Sequence, residues 1–112
     1  MLTRQEIAQH FLQIAAKHGA AYSTGNYKLA NKLHKKLHEL YDQAKLSNCQ
    51  DVFKDMIDNE DESIQLWAAI FTLKLSPQLA ETVLARLAEN SNIKMTAQTT
   101  LTLWRQDKLN LL

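Results

Sequence analysis

"LWAAIFTLKLSPQLAETVLARLAE", residues 66–89, decides how the rest of the chain reads. With Ile64 just upstream, the apolar residues Trp67, Ala68, Ile70, Phe71 and Leu75 recur at helical spacing and form one stripe. Ser76 followed by Pro77 marks a new helix start: the serine can cap, and proline's missing N–H and fixed φ suit the first helical position. Ala80, Val83, Leu84, Leu87 and Ala88 then line a second helix. A connection of only two or three residues forces antiparallel packing, so the stretch predicts an α-hairpin. The pair carries no reactive group, and its role must be sought in the surface it builds.

Working upstream, Asn59-Glu60-Asp61-Glu62 places negative charge at the start of this hairpin, where the helix dipole favours it. Val52, Phe53, Met56 and Ile57 make a short apolar face flanked by Asp51, Asp55 and Asp58, which predicts a shorter helix. From Asn26 onward, Ala30, Leu33, Leu37, Leu40, Tyr41 and Ala44 form the stripe of the longest amphipathic helix. Lys28, Lys32, Lys35, Glu39 and Asp42 fall on its opposite side. Thr3 and Glu6 have the spacing of a capping box, in which each side chain satisfies the other's backbone N–H. Ile7, Phe11, Ile14, Ala15 and His18 then give the first helix its stripe, and it ends near Ser23 in a segment bounded by Gly19 and Gly25. Downstream, a last helix runs from about Ile93 with Ala97, Leu101 and Trp104 inward. The tail Leu109 to Leu112 is apolar enough to dock.

The expected fold is therefore all-α: about six helices in antiparallel pairs, within a single domain spanning residues 1–112. Small residues such as Ala68, Ala69, Ala80 and Ala97 permit close approach. Together these features point to an α-α superhelix of the HEAT or armadillo kind, with a four-helix bundle as the alternative. Leu-Trp-Ala-Ala and Leu-Trp-Arg are too little self-similarity to define a repeat period.

Composition agrees. A chain of 112 residues fits one domain and would bury roughly 60 to 70% of its unfolded surface. Hydrophobic residues at 46% and charged residues at 22% argue against disorder. Two glycines and one proline leave few breakers, which favours helices over a strand-rich fold. Cys49 is the one cysteine and cannot form an internal disulfide, and Met-Leu-Thr-Arg-Gln-Glu lacks the layout of a secretory signal, so a cytoplasmic location is expected. Lys74 interrupts the longest apolar run before Pro77, which excludes a membrane span. The net charge of +1 is unevenly placed. Residues 1–50 hold seven Lys or Arg against three acids, whereas residues 51–112 hold six against nine. Two differently charged surfaces are expected.

Few residues suggest chemistry. His34 and His38 stand one helical turn apart, a spacing that lets two imidazoles reach one metal ion. No cluster elsewhere completes a ligand set, Glu39 and Asp42 lie toward solvent, and neighbouring lysines repel a cation, so the expectation is no metal and no cofactor. Cys49 has no cysteine-enzyme signature around it and reads as a small buried thiol. Gly19 and Gly25 belong to no phosphate-binding loop. Lys28, Lys32, Lys35 and Lys36 form a basic strip without interleaved arginine or aromatic residues, which disfavours nucleic acid as partner. The acidic run Asp51, Asp55, Asp58, Glu60, Asp61 and Glu62 reads equally as solubility with capping and as a patch for a basic partner. Trp67 and Trp104 lie on apolar stripes and read as core.

Two stretches carry a family resemblance. "GNYKLANKLHKKLHELYDQ" and "LWAAIFTLKLSPQLAETVLARLAE…A…TLTLWRQDKL" resemble a family of small bacterial all-helical proteins catalogued as domain of unknown function two thousand and nineteen. The shared features are the Gly-Asn-Tyr-Lys segment, Trp-Ala-Ala, Pro-x-x-Ala-x-x-Val-Leu and the closing Leu-x-x-Trp. One departure is Asp107, where that family's pattern would place a glycine after the final tryptophan. The resemblance implies a HEAT-like superhelix with no catalytic residues. Proteins of this size and shape also resemble the immunity proteins of contact-dependent inhibition and other polymorphic toxin systems, which block a cognate toxin in the cytoplasm. The expectation is thus a non-enzymatic immunity protein that binds a toxin domain, a nuclease in particular, through Asp58, Glu60, Asp61 and Glu62. Its rival is a helical-repeat adaptor or homo-oligomeric scaffold with no toxin partner.

Overall fold

The computed structural model describes residues 2–90 and 93–109. Among them the chain is all-α, with α1 (Arg4–Ser23), α2 (Tyr27–Leu46), α3 (Asp51–Lys54), α4 (Glu62–Thr72), α5 (Pro77–Asn90) and α6 (Lys94–Arg105). No helix among the described residues is long and apolar enough to cross a membrane. The chain divides into two compact units, Met1–Val52 and Phe53–Leu112, and the boundary falls inside the short α3.

In the first unit α1 packs against α2. The capping box forms as its spacing predicts: Thr3 Oγ1 accepts from the Glu6 N–H at 3.1 Å, and Glu6 Oε1 accepts from the Thr3 N–H at 3.0 Å. Ile7, Phe11 and Ala15 are fully buried, while Ile14 and His18 sit half-buried at the edge of the stripe. Every apolar position predicted for α2, from Ala30 to Ala44, is buried. Ile14 packs on Ala21, Ala30 and Leu33 near the connection, and Arg4 Nη1 meets Asp51 Oδ1 at 2.6 Å at the other end. Early α1 thus lies beside the residues that follow α2, which makes the pair antiparallel.

The connections use one device three times. Gly25, Asn48 and Asp107 follow the C-caps of α1, α2 and α6 with φ of 77°, 54° and 57°. In each case the next N–H reaches back to a carbonyl of the last turn: Asn26 to Ala21 at 2.9 Å, Cys49 to Ala44 at 2.9 Å, and Lys108 to Leu103 at 2.8 Å. The left-handed residue's own N–H bonds Tyr22, Lys45 or Trp104. This paired 6→1 and 5→2 pattern is the Schellman motif, which satisfies carbonyls that a helix end would otherwise orphan. Asp107 therefore adopts the turn for which a glycine was expected.

In the second unit α4 packs against α5 and α5 against α6. The α5 stripe of Ala80, Val83, Leu84, Leu87 and Ala88 is buried as its spacing predicts, and Ser76 supplies the carbonyl that accepts the first α5 bond, from Ala80 at 3.1 Å. Gln98 Nε2 donates to the Ala88 carbonyl at 3.1 Å and Arg105 Nε lies 3.5 Å from Glu81 Oε1, so α6 runs back along α5. Three expectations are corrected here. Helix α4 is not a one-sided helix: Leu66 and Ala69 are buried with Ile64, Trp67, Ala68, Ile70 and Phe71. Leu75 is half exposed, because α4 ends at Thr72 and residues 73–76 form a four-residue turn beyond its periodicity. Trp104 is half-buried near the end of α6, where Leu101 is buried. Of the apolar tail, residues 110–112 lie outside the described residues.

Two buried threonines are satisfied within their own helices. Thr72, fully buried, donates from Oγ1 to the Ala68 carbonyl at 2.6 Å, and Thr100 donates to Thr96 at 2.8 Å. Back-bonding to the preceding turn is how threonine enters an apolar helix interior without an orphaned hydroxyl. Phe53 and Phe71 pack edge to face with centroids 5.0 Å apart, and Trp67 flanks Phe71 at 5.7 Å. Such pairs contribute about 0.5–1.5 kcal/mol beyond their burial.

Candidate functional site

The carboxylates Asp58, Glu60, Asp61 and Glu62 surround the start of α4 in the second unit. Their chain is folded tightly there. Asn59 Oδ1 accepts from the Asp61 N–H at 2.9 Å, and Asp61 Oδ1 accepts from the Ser63 and Ile64 N–H groups at 2.8 and 3.1 Å. The Gln65 side chain donates back to the Asn59 carbonyl. Asp61 is therefore the N-cap of α4, satisfying two backbone donors with a charge placed at the positive end of the helix dipole. Asp58 and Glu60 are exposed and Glu62 is half-buried. The four thus divide: Asp61 holds the turn, while Asp58 and Glu60 present charge on a backbone that the turn keeps fixed.

Asp51, the first acid of the run, belongs to other work. It pairs with Arg4 in the first unit, and that guanidinium holds its carboxyl below the usual value. Counted by unit, the first holds seven basic and four acidic side chains and the second six and eight. The charge asymmetry of the sequence survives as a difference between two folded bodies.

The first unit carries a line of rings that the one-dimensional pattern hides. Tyr27 meets Tyr22 with centroids 5.8 Å apart, and Tyr22 stacks at 6.5 Å on His18. His18 meets His34 at 6.2 Å, and His34 meets His38 at 4.5 Å. The His34 and His38 Nε2 atoms lie 2.8 Å apart. Burial holds His18, His34 and His38 below the usual imidazole pKa; a neighbouring imidazole adds to this at His18 and His34, while Asp42 opposes it at His38. Spacing within α2 announced His34 with His38; His18 and Tyr22 come from α1 and join only through tertiary packing. Lys28, Lys32, Lys35 and Lys36 are exposed on α2, and Tyr22 and Tyr27 are exposed as well. A groove of about 720 Å³ elsewhere on this pair has an apolar floor of Ile14, Leu33 and Leu40 beneath a rim of His10, Lys17, Lys36 and Glu39. Its rim charges are of both signs and include no base set against a nucleophile.

Cys49 is buried as a small apolar side chain just past the α2 C-cap. Among the described residues, no group of three or more histidine, cysteine, aspartate or glutamate side chains is arranged to hold a metal ion. No protein-family model, curated protein or solved structure matches the chain.

Proposed function

We propose that this protein is an immunity protein: it binds a cognate bacterial toxin domain, a nuclease in particular, and neutralises it by protein–protein contact in the cytoplasm. The observation that carries the reading is the fixed acidic turn at the start of α4, where Asp58 and Glu60 project from a backbone pinned by Asn59, Asp61 and Gln65. A nuclease must hold a polyanion and therefore offers a basic surface, and pre-ordered carboxylates meet such a surface without a loop-ordering cost. The resemblance to small helical immunity proteins supports the same reading.

Co-purification of the tagged protein from its own host, with mass spectrometry of what stays bound, tests this. The expected result is one bound protein in equal amount whose expression alone arrests growth and whose effect is reversed by co-expression with this chain. Recovery of the chain alone, at concentrations where a tight complex survives, or of a partner without toxicity, would return the weight to an adaptor or scaffold.

A further inference from the structure

The charges of the first unit are segregated along its length. Residues 7–38 hold Lys17, Lys28, Lys32, Lys35 and Lys36 and no carboxylate. The unit's acids, Glu6, Glu39, Asp42 and Asp51, lie toward the end of the helix pair away from the connection at residues 24–26. All five lysines are exposed. Each residue of a helix advances about 100°, so Lys28, Lys32, Lys35 and Lys36 share one face of α2, and Lys28, Lys32 and Lys36 climb it in steps of about 6 Å. That step is close to the spacing of successive phosphates in a single strand. Tyr27 precedes the strip at the first position of α2, and Tyr22, at the end of α1, meets it edge to face with centroids 5.8 Å apart. Tyr22 is 51% and Tyr27 61% exposed. We propose that this face of α2, with the tyrosine pair at its start, binds single-stranded nucleic acid, the phosphates following the lysines and a base stacking on a tyrosine ring.

A polyanion is the complement of such a face: each lysine that neutralises a phosphate releases a condensed counterion, and no carboxylate within residues 7–38 opposes the strand. The tyrosines decide which polyanion. A duplex keeps its base faces inside the stack, whereas a single strand offers them to exposed aromatic rings with little regard to sequence. An anionic membrane also attracts lysines, but an interfacial helix sets a broad apolar face against the acyl chains. The apolar stripe of α2, from Ala30 to Ala44, is instead buried within the protein. Along α2 alone no aromatic residue stands between the lysines, and the second ring of the pair arrives only because α1 packs on α2. The surface belongs to the first unit and does not rest on the toxin-binding reading.

The test is fluorescence anisotropy of a labelled oligothymidylate of about twelve nucleotides, titrated with the full chain between about 0.05 and 0.2 M salt. Saturable binding is expected, with a log–log salt slope of about −3, the value for four lysine–phosphate contacts on a single strand. Lys28→Gln combined with Lys32→Gln should halve that slope. Tyr22→Ala combined with Tyr27→Ala should weaken binding about tenfold at an unchanged slope, and Tyr22→Phe with Tyr27→Phe, which keeps both rings, should bind like the parent. Lys94→Gln with Lys108→Gln, in the second unit, should change nothing, and circular dichroism should show every variant helical. Absence of saturable binding at about 0.05 M salt, or an unchanged slope in the Lys28→Gln, Lys32→Gln variant, overturns the surface. Equal affinity for a duplex of the same length, or full affinity in the double alanine variant, overturns the single-strand assignment. Sedimentation with phosphatidylserine vesicles without binding to the oligonucleotide overturns nucleic acid as the partner.

Discussion

Gly25, Asn48 and Asp107 hold the same left-handed position after three different helices, and only the first is the residue best suited to it. A Cβ at Gly25 would meet nothing within 4 Å, so the cost of Gly25→Ala is conformational: about 1–2 kcal/mol of lost stability by thermal or denaturant melting. The reverse experiment at Asp107 should go the other way. Asp107→Gly should stabilise by up to about 1 kcal/mol, because the turn already exists and glycine removes the strain. At Asp61 the cap and the charge can be separated: Asp61→Ala should cost about 1 kcal/mol, whereas Asp61→Asn, which still caps, should cost much less. This matters for any binding experiment, since a variant that merely unpicks α4 mimics a variant that removes a contact.

Among the elements, α4 is the one whose sequence misleads. Its stripe is legible, yet Leu66 and Ala69 are buried as well, and beyond Gln65 an almost unbroken apolar run gives no period from which to read a face. Helices α1, α2 and α5 are legible because each alternates charge with apolar residues and carries its own punctuation, Thr3 with Glu6, Asn26, and Ser76 with Pro77. Because Phe71 is fully buried, Phe71→Ala should be among the costliest substitutions, about 3–5 kcal/mol, a large part of a small domain's total stability. The start of α1 against the start of α3 offers a pH test. Arg4 holds the Asp51 carboxyl below the usual carboxylate range, so the pair's contribution is present above about pH 4 and lost as pH falls through the lowered folded value. Asp51→Asn should therefore melt lower than the parent at pH 7, and the difference should shrink as pH falls below about 4.

For the whole molecule, the all-α class, the positions of six helices and the charge asymmetry were readable from spacing, caps and composition alone. Sites that depend on two helices at once were not: Tyr22 beside Tyr27, His18 beside His34, and Arg4 on Asp51 unite residues far apart in sequence, and no local pattern encodes their approach. The acidic turn was readable as charge, but the division between Asp61 as cap and Asp58 with Glu60 as free-standing surface charge needed hydrogen-bond geometry. That division also designs the decisive experiment. The parent and an Asp58→Lys, Glu60→Lys variant, which leaves the Asp61 cap in place, are tagged and co-purified side by side from the native host. The account predicts that the parent retains an equimolar toxin and the variant, equally stable by melting, loses it at 0.15 M salt. Equal recovery of that toxin by both proteins would contradict the acidic turn as the binding surface, and recovery of none by the parent would contradict the immunity function itself.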